Sequence, residues 1–514
     1  MVGDTGGVFL KACENTWREP HEPGMRMKET AGKYNLAIIG GGSAGLMVAA
    51  GAAGMGARVA LVEQGPMGGD CLNHGCVPSK ALLHEARLAA FSRRLAGGVP
   101  APTSENDWTR AAARVREAVE TIAPHDSVER FQSLGVDVFQ GRGKLAGNSA
   151  VEVSLNDGGR KTIRAHSIVL AMGSSPLLPP VEGLAEAGCL TNETVFAMPE
   201  LPRRVAVLGG GPIGAELGQA LARLGAQVTI IEMLPHLLPR EDEDAAAVVA
   251  DSLRRDGITL HTGTMVSRIE TAGNLRRIFC LAGAGNGREK KELALETDAI
   301  LAAFGRKPNS GGAGLEEAGM EMHRGFIRVD KHMRTSLKNV FACGDITGPY
   351  LFTHTANQQA RVVIQNALLP VKASFNDRVI PWCTFTEPEL ARVGLNETQA
   401  REQGLPHRVL RIPFSGIDRA VCERDTGGFL KVLTPPGRDD ILGATLVGAH
   451  AGELIHEIVL AMSAGIRLST LANTIHIYPT RAEVFRRAGD ESRKASFTPR
   501  LRGILGAYLK WRRR

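Results

Sequence analysis

Cysteine and aromatic residues are scarce in this sequence. Among 514 residues, eight are cysteine, and Phe, Trp and Tyr together account for 5%. Six of the cysteines stand singly, a spacing that excludes the dense disulfide framework of small secreted proteins and indicates a reducing, cytoplasmic setting. The other two, Cys71 and Cys76, lie five positions apart in the stretch GGDCLNHGCVPSK. They are therefore the first candidates for chemistry.

Net charge is absent from most of the chain. Residues 491–514 carry eight Lys or Arg against one acid, which accounts for the whole formal charge of +7 and leaves residues 1–490 at zero. A neutral body argues against a nucleic-acid-binding core. Apolar residues recur in the basic tail at helical spacing, at Leu501, Ile504, Leu505, Tyr508 and Leu509. The tail is interpreted either as a solvated or dimer-packed helix, or as a helix resting peripherally on the inner, anionic face of a membrane.

One uncharged run is long enough to span a bilayer, but its glycines favour another interpretation. Residues 36–57, LAIIGGGSAGLMVAAGAAGMGA, include seven glycines, which weaken both apolarity and helix propensity. The pattern predicts a buried strand, a turn of the form Gly40-x-Gly42-x-x-Gly45, a helix, and a second strand ending at Glu63. Such a turn brings backbone N–H groups to a pyrophosphate, and the acid accepts ribose hydroxyls.

The same unit occurs a second time, with Gly209, Gly211, Gly214 and Glu232. The first glycine precedes the acid by 23 residues in both copies. This repeat predicts an α/β fold with two Rossmann-like dinucleotide sites, rather than glycine-rich helix packing. Two such sites in one chain suggest an electron relay between a bound flavin dinucleotide and a visiting nicotinamide. A disulfide that takes part in this relay must lie against the flavin. Because the cysteine pair follows the first unit, we expect FAD in the first site and NAD(P)H in the second.

The spacing of Cys71 and Cys76 favours a redox pair. Zinc sites use four ligands, usually in CxxC pairs, and a static disulfide is rare in a reducing compartment. A position at a helix start stabilises a thiolate through the helix dipole. Lys80 lies four residues after Cys76, on the same face of the predicted helix. No structural metal is predicted, and a metal ion is expected at the two thiolates only as a transient substrate.

GGDCLNHGCVPSK resembles the redox-active motif of the FAD-dependent pyridine nucleotide-disulfide oxidoreductases, which include dihydrolipoamide dehydrogenase, glutathione reductase and mercuric reductase. The resemblance runs from about residue 34 to residue 489. It is carried further by four stretches: VLAMGSSPLLPPVEG with Gly173, AAFGRKPN with Gly305 and Arg306, NVFACGDIT with Asp345, and TFTEPELARVGL. It implies a homodimer with a C-terminal α+β dimerisation domain after the two Rossmann-like domains. The segments expected from it are an N-terminal extension (1–33), an FAD domain (34–180 and 306–376), an NAD(P) domain (181–305), a dimerisation domain (377–490) and the basic tail (491–514).

The resemblance also implies roles for single residues. Cys76 is expected to be the flavin-facing thiol, and Cys71 the interchange thiol that meets the substrate. Lys80 is expected near the reactive edge of the flavin, paired with Glu216, because a buried lysine needs a counter-ion.

Further roles concern the two cofactors. Asp345 is expected to bind the flavin side chain, with Gly173, Gly305 and Arg306 in the stretches around it. Glu232 is expected to take the adenosine ribose of the nicotinamide cofactor. A carboxylate there favours NADH, since it would repel a 2′-phosphate.

The chain departs from the family pattern at TIHIYPTRAEVFRRAGD, residues 474–490. Disulfide-reducing members have a histidine directly before this Pro-Thr, delivered by the partner subunit, and a glutamate five residues beyond it. Here those places hold Tyr478 and Glu483. A phenol titrates near 10 and an imidazole near 6.5, so a tyrosine is a poor proton acceptor at neutral pH.

Three functions stay open. The first is a dihydrolipoyl dehydrogenase, which would use His476, two residues earlier on the same side of an extended segment, as its base or would work with no strong base. Alternatively, the acceptor is a soft metal ion or small oxidant, as in mercuric reductases, which share the tyrosine. Those enzymes also carry a C-terminal cysteine pair that this chain lacks. The third reading is a flavin-bound sensor at a membrane surface, which acts through the basic tail.

Overall fold

The computed structural model describes residues 33–95, 105–273, 275–283, 291–496 and 499–513. The predicted N-terminal extension, apart from Lys33, lies outside these ranges. The chain divides into two compact units. The first comprises the described parts of Met1–Pro78, Arg116–Ser175 and Arg306–Asn376, and the second those of Ser79–Val115, Pro176–Gly305 and Asp377–Arg514.

The first unit is built on a parallel sheet. Its strands, in spatial order, are Val136–Leu145, Val59–Glu63, Tyr34–Ile39, Arg160–Leu170 and Val340–Ala342. The central strand, YNLAII, is buried over its last four residues, as expected for a strand covered on both faces. A further strand, Ala150–Leu155, pairs antiparallel with residues 141–145 of the first of these strands and with residues 160–164 of the fourth.

Alternate residues of the central strand serve two different cores. Leu36 and Ile38 join a cluster with residues of helices Ser43–Gly54 and Thr353–Leu368, whereas Ala37 joins the cluster on the other face. The remaining helices that lie wholly in this unit are Gly69–Asn73 and Val128–Ser133. The helices Cys76–Leu95 and Glu105–Ile122 begin in one unit and continue into the other.

The second unit contains a second parallel sheet with the second glycine turn. Its strands, in spatial order, are Ala299–Ala302, Arg204–Leu208, Gln227–Ile231 and Thr259–His261. The turn leads into helix Pro212–Leu224, whose proline occupies the first turn, where its missing N–H costs nothing. Helix Glu243–Arg255 precedes the last of these strands.

Two antiparallel sheets complete the second unit. A three-stranded sheet consists of Thr264–Ala272, Leu275–Ala282 and Lys291–Thr297. A five-stranded sheet has the order Pro381–Thr384, Glu389–Gly394, Gly443–Gly448, Phe429–Thr434 and Arg408–Pro413. The helices after residue 390 are Glu397–Glu402, Asp418–Cys422, Ala451–Leu454, His456–Ala464, Leu468–Leu471, Glu483–Ser496 and Pro499–Arg512.

The predicted fold class is confirmed. Each glycine turn follows an inner strand of a parallel sheet, Tyr34–Ile39 in the first unit and Arg204–Leu208 in the second. The C-terminal part combines an antiparallel sheet with helices. The uncharged run at residues 36–57 is a strand, a turn and a helix of 12 residues, as predicted. Within the described ranges, no helix combines the length and the apolarity needed to cross a membrane.

The tightest glycine contact predicts a sharp difference between two positions of one helix. A Cβ atom on Gly45 would lie 1.8 Å from the carbonyl oxygen of Gly40, whereas one on Gly54 would meet no atom within 4 Å. Because overpacking costs about 1–3 kcal/mol, we expect Gly45→Ala to lower the melting temperature by about 2 °C or more. Gly54→Ala should leave it unchanged or raise it. Equal melting temperatures for the two variants, measured by calorimetry, would contradict this packing.

Candidate active site

Both glycine turns bring two backbone segments to a distance that only glycine permits. Gly40 has φ +110°, and a Cβ atom there would lie 2.3 Å from the carbonyl oxygen of Ala171. Gly209 has φ +113°, and its Cβ would lie 2.4 Å from the carbonyl oxygen of Ala303. Positive φ and close approach both exclude a side chain at these positions.

The middle glycines, in contrast, leave room for a Cβ atom. The nearest atom to a Cβ on Gly42 would be Gly69 Cα at 3.7 Å, and a Cβ on Gly211 would meet nothing within 4 Å. These two glycines cap the helices that begin at Ser43 and Pro212, and neither helix has a side-chain cap. The first N–H groups of both helices are therefore suited to a phosphate. The third glycine of the second turn, Gly214, would place a Cβ 2.0 Å from the Gly209 carbonyl oxygen.

An acid closes each turn in the same way. Glu63 accepts hydrogen bonds from the N–H groups of Gly41 and Gly65 at 2.5 and 2.7 Å. Glu232 accepts them from Gly210 at 2.6 Å and from the residue two positions beyond it at 2.7 Å. Both carboxylates are thus fixed at the end of the second strand, where a dinucleotide ribose is bound. The residues at both turns fit a dinucleotide.

Asp345 lies in a buried polar cluster of the first unit. Its carboxylate accepts a hydrogen bond from the Ser174 hydroxyl at 2.6 Å, and Arg306 Nε lies 3.9 Å away. Burial raises the pKa of Asp345, while Ser174 and Arg306 oppose that shift. Arg306 also pairs with Asp70, at 3.2 Å, in the helix that carries Cys71. This cluster links the stretch NVFACGDIT to the helix that carries Cys71.

Gly173 and Gly305 both have positive φ, +67° and +108°, and neither would place a Cβ within 4 Å of another atom. The carbonyl oxygen of Gly173 accepts the N–H of Asn309. Both glycines therefore adopt a backbone conformation that favours glycine, and they lie close to the positions where the chain passes from one unit to the other, after Ser175 and after Gly305.

Cys71 and Cys76 lie together as thiols. Cys71 is half-buried in helix Gly69–Asn73, and Cys76 is the exposed first residue of helix Cys76–Leu95. The hydrogen bond with Cys76, followed by burial, raises the pKa of the Cys71 thiol far above its ordinary value. The Cys76 sulfur lies 3.5 Å from the hydroxyl of Thr353, the first residue of another helix. Two helix N-termini therefore lie near this sulfur and favour a thiolate on it.

Lys80 and Glu216 form an ion pair in the second unit. Lys80 Nζ lies 2.9 Å from Glu216 Oε2, and it also lies 4.4 Å from the centre of the Phe385 ring. The other carboxylate oxygen of Glu216 accepts the Phe385 N–H at 2.9 Å. The lysine side chain is 39% exposed and that of the glutamate 8%. The carboxylate is therefore the fixed partner and holds the ammonium in place.

Tyr478 and Glu483 are not bonded to each other. The Tyr478 hydroxyl donates a hydrogen bond to Asp418 at 2.8 Å, and this hydrogen bond, followed by the negative charge of Asp418, raises the pKa of the phenol. One oxygen of Glu483 lies 2.8 Å from Arg486 and 3.2 Å from Arg487. Its other oxygen is buried and has no hydrogen-bond partner among the described residues. Asp418, rather than Glu483, is therefore the hydrogen-bond partner of Tyr478.

His476 is turned inward. Its Nε2 lies 3.0 Å from Glu457, and its Nδ1 lies 3.0 Å from the carbonyl oxygen of Thr474. The side chain of His476 is 7% exposed, whereas Tyr478, taken as a whole residue, is 68% exposed. The two residues thus occupy different environments, because the segment is not a regular strand and Glu457 attracts the ring. Both imidazole nitrogens already have partners within the chain.

Three contacts were not predicted from the sequence: Thr353 at the Cys76 sulfur, Phe385 at Lys80, and Asp418 at Tyr478. Each joins positions far apart in the chain, and no local motif marks them. In the part of the chain that the structure describes, no group of three or more His, Cys, Asp or Glu side chains is arranged to hold a metal ion.

Comparison with protein families gives two matches. The family model described as pyridine nucleotide-disulphide oxidoreductase matches residues 34–360, and the model of the corresponding dimerisation domain matches residues 380–488. The second match supports a homodimer.

Individual relatives cover almost the whole chain. A mercuric reductase of Streptomyces lividans is 33% identical over 88% of this chain and 95% of that protein. A dihydrolipoyl dehydrogenase of Thermus scotoductus is 34% identical over 90% of this chain and 98% of that protein. Among solved structures, the Cu(II) complex of the HOCl-induced flavoprotein disulfide reductase RclA from Escherichia coli has a TM-score of 0.77. It is 32% identical, over 88% of this chain and 98% of that one.

The Tyr478–Asp418 hydrogen bond predicts a titration. A carboxylate beside a phenol disfavours the phenolate, so Asp418→Asn should lower the pKa of Tyr478 towards its ordinary value. The chain has four tyrosines, and the difference in ultraviolet absorbance between protein with and without Tyr478→Phe isolates this one. Asp490→Asn is the matched control, since Asp490 bonds Arg486. An unchanged Tyr478 titration in Asp418→Asn would show that the contact does not form.

Proposed function

The chain belongs to the pyridine nucleotide-disulphide oxidoreductase family, and on that basis we propose that it reduces a soft metal ion or small oxidant with NAD(P)H. The family supplies the coarse function: a flavoprotein disulfide oxidoreductase of the mercuric reductase or lipoamide dehydrogenase type, with FAD, a pyridine nucleotide and a redox-active disulfide. The acceptor and the roles of single residues go beyond this coarse function, and we propose them on the contacts described above.

The observation that carries the choice of acceptor is Tyr478 and its partner. A dithiol substrate must lose and regain protons during exchange, which needs a base that titrates near neutrality. Asp418 instead holds Tyr478 as a neutral hydrogen-bond donor. A metal ion bound by thiolates needs no such base. The similarity to mercuric reductase, and to a disulfide reductase whose solved structure is a Cu(II) complex, supports the same choice.

The cysteine pair carries the electrons in this proposal. The first glycine turn and Glu63 would hold FAD, and the bound cofactor would pass two electrons from NAD(P)H to the disulfide. Reduction breaks the Cys71–Cys76 bond with two electrons and one proton. The raised pKa of Cys71 keeps that proton on its sulfur, and the helix N-termini leave the negative charge on Cys76.

The return step restores the disulfide. One Hg(II) ion, or two Cu(II) ions, taken by the two sulfurs receive two electrons, the S–S bond forms again, and one proton leaves Cys71. Soft thiolate ligands suit Hg(II), and they suit the Cu(I) that reduction of Cu(II) produces. Lys80, one helical turn after Cys76, is proposed to hold a positive charge beside the flavin, and Glu216 keeps it in place.

His476 is the candidate base in the lipoamide alternative. Both nitrogens of its ring already have partners, Glu457 and the Thr474 carbonyl oxygen. Proton transfer to a substrate would require breaking one of these contacts, so the structure favours the metal-ion acceptor. The membrane-surface sensor gains no support from the comparisons, and we do not propose it.

NADH is the proposed nicotinamide cofactor. Glu232 is buried, and its carboxylate is fixed by two backbone N–H groups at the strand end. We expect Glu232→Ala to lower the ratio of kcat/KM for NADH over kcat/KM for NADPH about tenfold. The substitution removes the ribose contact of NADH, and it also removes the carboxylate that repels the 2′-phosphate of NADPH. Glu243→Ala, at an exposed acid of the following helix, is the control. A ratio that Glu232→Ala leaves unchanged would remove this residue from cofactor selection.

Acceptor specificity tests the main proposal. We expect NADH-dependent turnover with Hg(II) or Cu(II) and little with oxidised lipoamide, measured at steady state. Tyr478→His should raise lipoamide turnover about 100-fold, because an imidazole supplies the missing base. Tyr478→Phe, which supplies none, should not. If the unchanged protein reduces lipoamide as fast as either metal ion, the tyrosine does not set the acceptor and the proposal fails.

A further inference from the structure

The last helix, Pro499–Arg512, has no buried residue. Its large apolar side chains are between 36% and 69% exposed: Leu501, Ile504, Leu505, Tyr508, Leu509 and Trp511. A helix that only needs solvation carries polar residues at such positions, so this much exposed apolar surface indicates a binding face. We call it the tail helix.

The apolar residues of the tail helix occupy one side. Leu501, Ile504, Leu505 and Tyr508 follow the spacing i, i+3, i+4, i+7, which aligns them along one face. Trp511 continues that face, and its ring lies 6.0 Å from the Tyr508 ring. Trp and Tyr are the residues preferred where apolar and aqueous phases meet.

Positive charge surrounds this face. Residues 491–514 hold eight Lys or Arg against a single acid, Glu491, so the helix itself contains no acid. By helical spacing, Arg500 and Arg502 flank the apolar side and Lys510 lies opposite it, whereas Arg512, four residues after Tyr508, ends that side with a positive charge. Two tails of charge +7 repel each other, which argues against a second copy as the occupant. A nucleic acid would match the charge but would leave the apolar face in water.

We propose that the tail helix binds the surface of an anionic lipid bilayer. Fourteen residues form a helix about 21 Å long, shorter than the roughly 30 Å hydrocarbon core, so it lies in the interface. The apolar face enters the acyl boundary, and the basic side chains meet the lipid phosphates. This inference does not rest on the proposed acceptor, because binding is measured without turnover.

Vesicle cosedimentation of the full chain tests the proposal. We expect binding to phosphatidylglycerol vesicles that weakens with added salt, and no binding to phosphatidylcholine vesicles. The triple variant Arg500→Gln, Arg502→Gln, Lys510→Gln should bind about 100-fold more weakly, since each basic residue near an anionic surface contributes about fivefold. Arg500→Lys, Arg502→Lys, Lys510→Arg keeps the charges and should bind normally.

A second pair of variants tests the apolar face. Ile504→Ser with Trp511→Ser should reduce binding at least tenfold. Gly503→Ser, opposite that face at a position with no atom within 4 Å of its Cβ, should not. The proposal is overturned if the full chain ignores phosphatidylglycerol vesicles at low salt, or if the serine variants change the oligomeric mass in sedimentation velocity while vesicle binding persists. It is equally overturned if duplex DNA or RNA binds the tail and vesicles do not.

Discussion

Close approach of backbone to backbone at two glycines is the constraint on which both cofactor sites depend. Gly40 and Gly209 each pass beneath a carbonyl oxygen at a distance that excludes a Cβ atom. That approach aims the helix N-terminus at the place of a pyrophosphate and leaves the next N–H free to bond an acid, Glu63 or Glu232. Strand, turn, helix and acid form one unit, and the chain uses it twice.

Sequence reasoning works here wherever the chemistry is local. The glycine turns, their acids, and Cys76 at a helix start follow from residues within one supersecondary unit. It does not reach contacts across long sequence separations. Thr353 meets Cys76 from 277 residues away, and Asp418 meets Tyr478 from 60 residues away. The period of an extended segment also placed His476 beside Tyr478, whereas Glu457 draws the imidazole inward.

Charge and protons are divided among the site residues by their neighbours. The Cys71–Cys76 hydrogen bond keeps a proton on Cys71, and helix N-termini favour negative charge on Cys76. Glu216 fixes the Lys80 ammonium. The Tyr478 hydroxyl donates its proton in a hydrogen bond to Asp418, while Glu483 forms ion pairs with Arg486 and Arg487. None of these neighbours gives Tyr478 the character of a base for a dithiol, which is why the proposed acceptor is a metal ion.

The central claim is that electrons from the nicotinamide cofactor arrive at Cys71 and Cys76. It is tested most directly by anaerobic alkylation of the flavin-loaded protein before and after one equivalent of NADH, with the labelled cysteines located by mass spectrometry. The account predicts that Cys71 and Cys76 resist alkylation before reduction and react after it, while Cys422, an exposed thiol, reacts in both states. Equal labelling of Cys71 and Cys76 with and without NADH would contradict it.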